Sequence, residues 1–171
     1  MKRLYILRHA KSSWAEPGLT DMDRPLNKRG VKQTAALAEW FVEQSDKPEV
    51  VLCSPSNRTR ETWRDIERAF PSTALDIVDE LYNGTTDNYM DVLSARDESS
   101  IMIIGHNPTC DELSRYLTAP SSPAAASLMS THFGTANLAI LDLEIDEWSA
   151  ISEASGQLVT MLRPRDLILA D

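Results

Sequence analysis

The chain has 171 residues, 42% of them hydrophobic, and a formal net charge of −9 at pH 7. This composition suits a single domain over residues 1–171, and the negative balance argues against nucleic acid or an anionic membrane as partner, since neither meets a basic field. With no apolar run near the roughly 18 residues of a membrane span, an amino-terminal stretch that soon turns charged and two widely spaced cysteines, Cys53 and Cys110, read as reduced thiols, the expected location is cytoplasmic.

Leu4 to Leu7 is a short apolar run ending in Arg8-His9, the pattern of a buried strand that delivers polar side chains at its carboxyl end. After a loop rich in Pro, Gly and Asp, Asn27 caps an expected helix whose apolar positions are Val31, Ala35, Leu37, Ala38 and Phe41. Val50 to Cys53 is a second buried run, closed by Ser54-Pro55. A helix is expected from about Arg58 to Ala69, a strand from Ala74 to Val78 and a helix from Thr86 to Ala95. Ile101 to Ile104 then repeats the first design and runs into Gly105-His106-Asn107-Pro108, with a helix soon after. Residues 120–127 read as a surface loop, and Leu138 to Leu143 and Ser149 to Glu153 as late strands. Strands alternating with helices imply an α/β sandwich with a mostly parallel sheet, whose ligands sit beyond the carboxyl ends of the strands. Arg8-His9, Ser54 to Arg58 and Gly105-His106 share that edge.

Phosphoryl transfer requires cations on the phosphoryl oxygens and a nucleophile in line with the leaving group. Arg8 and Arg58 offer planar guanidinium forks whose charge does not titrate away. A histidine is nucleophilic when one ring nitrogen is neutral and the other is held by a hydrogen bond, which makes His9 the candidate. Of the three histidines, two fall at strand ends on the same edge.

Four segments, Leu7-Arg8-His9-Ala10-Lys11-Ser12, Asp21-Met22-Asp23-Arg24-Pro25-Leu26 with Arg29-Gly30, Ser54-Pro55-Ser56-Asn57-Arg58-Thr59-Arg60-Glu61-Thr62 and Gly105-His106-Asn107-Pro108, together resemble the histidine phosphatase superfamily, also called phosphoglycerate mutase-like. The likeness runs from residue 4 to about residue 118 and is strongest to the SixA-type phosphohistidine phosphatases. It implies a three-layer α/β/α sandwich, no metal and no organic cofactor. His9 is then the phosphoryl acceptor, with Arg8, Arg58 and His106 gripping the phosphate, and the substrate is a phosphohistidine-bearing protein or a small phosphorylated molecule.

Two positions depart from the family pattern. Ala15 stands where several relatives place an asparagine, which leaves Lys11 or Ser12 as the accessory phosphate contact. Asn83 stands where mutase and sugar-phosphatase relatives keep a glutamate, and an amide cannot serve as a proton donor that leaves a stable anion. Asp21 is the first candidate acid; Asp23, Asp79 and Glu80 are the others, along with no acid at all. A phosphoimidazole departs as neutral imidazole once its other nitrogen is protonated, so loss of the acid harms phosphohistidine least.

Three rival readings fit the sequence less well. Cys53 precedes an arginine-bearing loop, but the spacing to Arg58 or Arg60 is wrong for a cysteine phosphatase, and Pro55 removes an amide such a loop turns toward phosphate. Asp21 and Asp23 could begin a carboxylate metal site, but they follow no apolar strand and have no clustered partners. A binding module without turnover has no need of His9. Trp14 is placed to wall the pocket, and His132 reads as structural. The charge is uneven: residues 1–64 hold 12 Lys+Arg against 8 Asp+Glu, and residues 65–171 hold 5 against 18.

Overall fold

The computed structural model describes residues 1–168. Six strands form one sheet in the order β3-β2-β4-β1-β5-β6. They are β1 (Lys2–Arg8), β2 (Val50–Cys53), β3 (Ala74–Ile77), β4 (Ser100–Gly105), β5 (Leu138–Leu143) and β6 (Gly156–Leu162). The first four strands of the sheet order run parallel, and β5 and β6 join antiparallel beside β1. The sheet is therefore mixed, with the parallel part expected from the βα alternation.

Alternation along the central strands builds a core on each face. Leu4 and Ile6 of β1 pack with Leu52, Ile101 and Ile103 under α3 (Thr86–Ser94), α4 (Thr109–Leu117) and α5 (Ala125–Met129). Tyr5 and Leu7 pack with Val51, Met102 and Ile104 under α1 (Lys28–Glu43), α2 (Asn57–Ile66) and the short α6 (Pro164–Ile168). Burial of both faces accounts for the unbroken apolar runs in these strands, and the result is the three-layer α/β/α sandwich.

The side of α1 that meets the sheet differs from the expected one. Val31 and Ala35 face solvent, and the buried stripe is Gly30, Gln33, Thr34, Leu37, Ala38 and Phe41. Gln33 and Thr34 can be buried because both find partners: Gln33 Oε1 accepts from the Lys11 amide at 2.9 Å, and the Thr34 hydroxyl donates to Asp65 at 3.0 Å. Asn27 caps this helix as expected, its side chain accepting from the Gly30 amide at 2.9 Å.

The last strand also lies elsewhere than expected. Residues 148–150 form a 3-10 turn, and the strand is β6. Trp148 is buried and its indole N–H donates to the Glu98 carbonyl at 2.7 Å, which ties this segment to the loop before β4 instead of to a ladder. Part of the loop expected over residues 120–127 is the start of α5, whose Ala125 and Leu128 are buried.

Candidate active site

Adjacent parallel strands β2, β4 and β1 end at one level, and their polar termini meet there. Arg8 pairs in register with Gly105, and Cys53 with Ile104. The ladder continues one residue further, with the His9 amide donating to the Gly105 carbonyl and the Ser54 amide to the Ile104 carbonyl, both at 3.1 Å. His9, Ser54 and His106 are thereby fixed by sheet geometry and not by a free loop.

The His9 ring is tightly defined. Its Nδ1 lies 2.7 Å from the Ala10 carbonyl oxygen. A carbonyl can only accept, so Nδ1 carries the proton and Nε2 keeps its lone pair. Burial pushes the His9 pKa down from 6.5 to about 3, against the pull of the Ala10 carbonyl and aided by the charges of His106, Arg58 and Arg8. The imidazole is neutral near pH 7. The Ala10 amide in turn donates to Thr62 Oγ1 at 3.0 Å, and that hydroxyl donates to the Arg58 carbonyl at 2.7 Å, which links the His9 segment to α2.

Two arginines meet beside it. Arg8 Nη1 donates to the Phe133 carbonyl at 3.2 Å, and burial draws the Arg8 pKa below its usual value, which still leaves it charged at neutral pH. Arg58 enters from the first turn of α2, capped by Ser56. Its Nη1 donates to the Asp21 carbonyl at 2.7 Å and its Nη2 to Asp21 Oδ2 at 3.0 Å. The Nε atoms of Arg8 and Arg58 are both buried without a hydrogen-bond partner among the described residues. A buried unpartnered donor is costly, and an oxyanion is the ligand that satisfies two guanidinium donors at once.

His106 lies with its ring centroid 5.3 Å from that of His9. Its Nδ1 is 3.4 Å from Arg58 Nη2, which can only donate, so Nε2 carries the proton and donates to Ser54 Oγ at 2.7 Å. Burial, then the Arg58 charge, lowers the His106 pKa to about 4, with Asp21 opposing.

These four side chains line one pocket of about 530 Å³. Ser12 lines it too, although its hydroxyl oxygen already accepts from Arg24 Nη2 at 2.6 Å. Trp14 walls the rim and lies over the Arg24 guanidinium at 3.3 Å. Asn83 is on the pocket wall in the left-handed region at φ 57°, a conformation asparagine tolerates better than most residues.

The candidate acids are not at the pocket wall. Asp21 sits behind Arg58, where the Tyr82 hydroxyl at 2.6 Å, and then Arg58 and Arg24, outweigh burial and hold its carboxyl at about 2. It is an anion that orients two arginines. Asp23 accepts from Thr20 at 2.8 Å, and Asp79 and Glu80 are exposed on a 3-10 turn away from the pocket lining. The carboxylate that lines the pocket, among the described residues, is Glu112 in the first turn of α4.

Sequence reasoning passed over Arg24, Ser54, Tyr82 and Glu112 as site residues. Arg24 and Ser54 stood inside the quoted motifs, and the pairing of Ser54 with His106 follows once β2 and β4 are neighbours. Nothing local marks Tyr82 or Glu112.

The rival nucleophile fares differently. The Cys53 thiol is buried, donates to the Ser54 carbonyl at 3.3 Å and has its pKa pushed up to about 12 by burial. It therefore stays a protonated thiol near neutral pH and is a poor nucleophile. Among the described residues no three His, Cys, Asp or Glu side chains group as a metal-ligand set, and no helix is long and apolar enough to cross a membrane.

Known proteins resemble this chain in sequence and in fold. The family model of the histidine phosphatase superfamily (branch 1) matches residues 4–89. The phosphohistidine phosphatase SixA of Escherichia coli is 27% identical over 144 residues, spanning 81% of this chain and 85% of that protein. A crystal structure from Agrobacterium tumefaciens, assigned as a phosphohistidine phosphatase SixA, superposes with a TM-score of 0.79 at 30% identity, covering 95% of this chain and 98% of that one. The structure of the protein histidine phosphatase SixA complexed with tungstate shares the fold, with a TM-score of 0.75 at 24% identity over 96% of this chain and 99% of that one. The chain belongs to the histidine phosphatase superfamily, and within it is SixA-like.

Proposed function

We propose that this protein is a cytoplasmic phosphohistidine phosphatase that removes the phosphoryl group from a histidine of a partner protein through a phospho-His9 intermediate, without a divalent cation. The observation that carries the reading is the His9 ring: Nδ1 is locked onto the Ala10 carbonyl, and the unprotonated Nε2 faces a pocket lined by the half-buried Arg8 and the buried Arg58, whose Nε donors are buried and unpartnered among the described residues.

Substrate phosphate enters between Arg8 and Arg58 with His106 beside it, and Ser12 serves as an accessory contact. His9 Nε2 attacks phosphorus in line, the N–P bond of the substrate breaks, and the departing imidazole is neutral once its other nitrogen has taken a proton from solvent. Water then attacks phospho-His9, releasing inorganic phosphate and restoring the neutral ring. The same cationic pocket stabilises both transition states.

The ionised Asp21 supports this choice of substrate. Held at about 2, it is a positioning residue for Arg58 and Arg24 and has no proton to give, and a phosphoimidazole is the leaving group that needs such a donor least. Glu112, which lines the pocket, favours a second reading in which the protein is a small-molecule phosphomonoesterase and Glu112 protonates the leaving oxygen. Turnover of a phosphohistidine protein, an aryl phosphate and a sugar phosphate, each with and without chelator, separates the two. Preference for phosphohistidine, insensitive to chelator, supports the first reading; equal or faster turnover of the sugar phosphate refutes it.

A further inference from the structure

A second groove of about 590 Å³ opens beside the active-site pocket and shares Arg8, Lys11 and Thr135 with it. Its remaining charged lining is Arg29 from the first turn of α1 and Arg163 and Arg165 from the junction of β6 and α6, and no carboxylate lines it among the described residues. In a chain of net charge −9, this is a local reversal of sign. Arg163 is held by a bidentate pair with Asp166, at 2.9 and 3.1 Å. The side chains of Lys11, Arg29 and Arg165 make no hydrogen bond or ion pair among the described residues, and Arg29 and Arg165 are exposed.

We propose that this groove receives the acidic polypeptide segment flanking the phosphorylated histidine of a protein substrate. The inference rests on the phosphohistidine phosphatase reading and adds what lies around the phosphorylated residue. Continuity with the pocket through Arg8 and Lys11 means that a chain whose phosphoryl group is at His9 must leave past one of its rims. The rim at α4 carries Glu112, which repels an acidic segment, and the rim at α1 and α6 carries the free cations. The exposed Arg29 and Arg165 heads and the half-buried Lys11, spread along an open groove, match several carboxylates on an extended segment better than one compact second phosphate, which calls for buried, converging donors. The acidic remainder of the surface repels the same segment elsewhere, so the groove sets its direction.

The test is binding of two labelled peptides by fluorescence anisotropy, each with a non-hydrolysable phosphonate analogue of phosphohistidine, one flanked by Asp and Glu and one by Ala and Gly. The proteins are the full chain and its Arg29→Glu/Arg165→Glu double variant. The intact protein is expected to favour the acidic peptide by about tenfold at low salt, and the preference disappears in the double variant and shrinks as salt is raised. An Arg29→Lys/Arg165→Lys variant retains it. Aryl phosphate kcat/KM stays within about twofold in all three, which reports an intact fold and pocket. Equal affinity of the intact protein for both peptides overturns the proposal, as does a preference that survives charge reversal. If the acidic preference is present but phosphohistidine peptides are not turned over, the function reading fails and the groove assignment stands.

Discussion

Replacing His9 by asparagine should flatten the acid limb of the protein's stability curve. In the folded chain burial holds the His9 pKa at about 3, against 6.5 for an ordinary histidine. The unfolded chain therefore takes up the proton first as pH falls. The stability that comes from keeping this ring neutral is complete above about pH 6.5 and is lost progressively on acidification toward about pH 3. Linkage across these two values gives a loss of roughly 2–3 kcal/mol from this one residue between neutrality and about pH 4.5. His9 is 7% exposed, so solvent screening takes little from that figure. His106, lowered to about 4 by burial and the Arg58 charge, adds a loss of the same sign over a narrower window. Urea unfolding of wild type and His9→Asn at intervals from pH 8 to about pH 4.5 measures the difference. The wild-type curve should fall more steeply below about pH 6.5, and the gap between the curves should close with acid. Parallel curves would mean that His9 is solvated or already protonated, and the argument for a neutral nucleophile would fail.

Other outcomes follow from the same contacts. Asp21→Asn removes the anion behind Arg58 and keeps the shape, so it should lower kcat/KM about tenfold on every substrate class while leaving the alkaline limb of the pH–rate profile in place; disappearance of that limb would instead make Asp21 the acid. Glu112→Gln should slow sugar phosphates severalfold and leave phosphohistidine within about twofold, as a side-by-side substrate panel would reveal. Gly30→Ala is favourable by helix propensity, yet its Cβ would sit 2.1 Å from the Lys11 carbonyl oxygen, a backbone atom that cannot swing aside. The variant should lose about 1–3 kcal/mol in urea unfolding and should lose activity as well, because the Lys11 segment that follows His9 is displaced.

The parts of the fold that were legible in the sequence are those in which local pattern and tertiary burial agree. Val50 to Cys53 and Ile101 to Ile104 are apolar because both faces of the sheet are covered, and each run stops where a polar residue must reach the site. The Asn27 cap was legible for a similar local reason. The buried stripe of α1 was not, because Gln33 and Thr34 are buried by specific hydrogen bonds to Lys11 and Asp65 that only the folded chain supplies. The last strand was misplaced because Trp148 and Ile151 are apolar for the sake of the core under α3 and α4 and not for a ladder. Gly156 to Val159, with buried and exposed positions alternating, carried the period of a strand.

The site divides along the same line. That Arg8, His9, Arg58 and His106 share one pocket was legible because Arg8, His9 and His106 sit at or just after strand ends, Arg58 opens the helix that follows β2, and parallel strands bring such ends together. What Asp21 does was not legible. Its ionised state depends on Tyr82, 61 residues away in the chain, and on Arg58, 37 residues away, both meeting it across a loop whose path the sequence does not dictate. The place of Glu112 depends on how α4 leaves the Gly105 to Pro108 turn, which is likewise a property of the packed molecule.

The central claim is that His9 accepts the phosphoryl group, and rapid-quench trapping with a labelled phosphoryl donor tests it most directly. The expected result is a phosphoenzyme that survives base, is lost in acid, maps to His9 and is absent from His9→Ala. An acid-stable phosphoenzyme, or turnover that persists in His9→Ala, would contradict it.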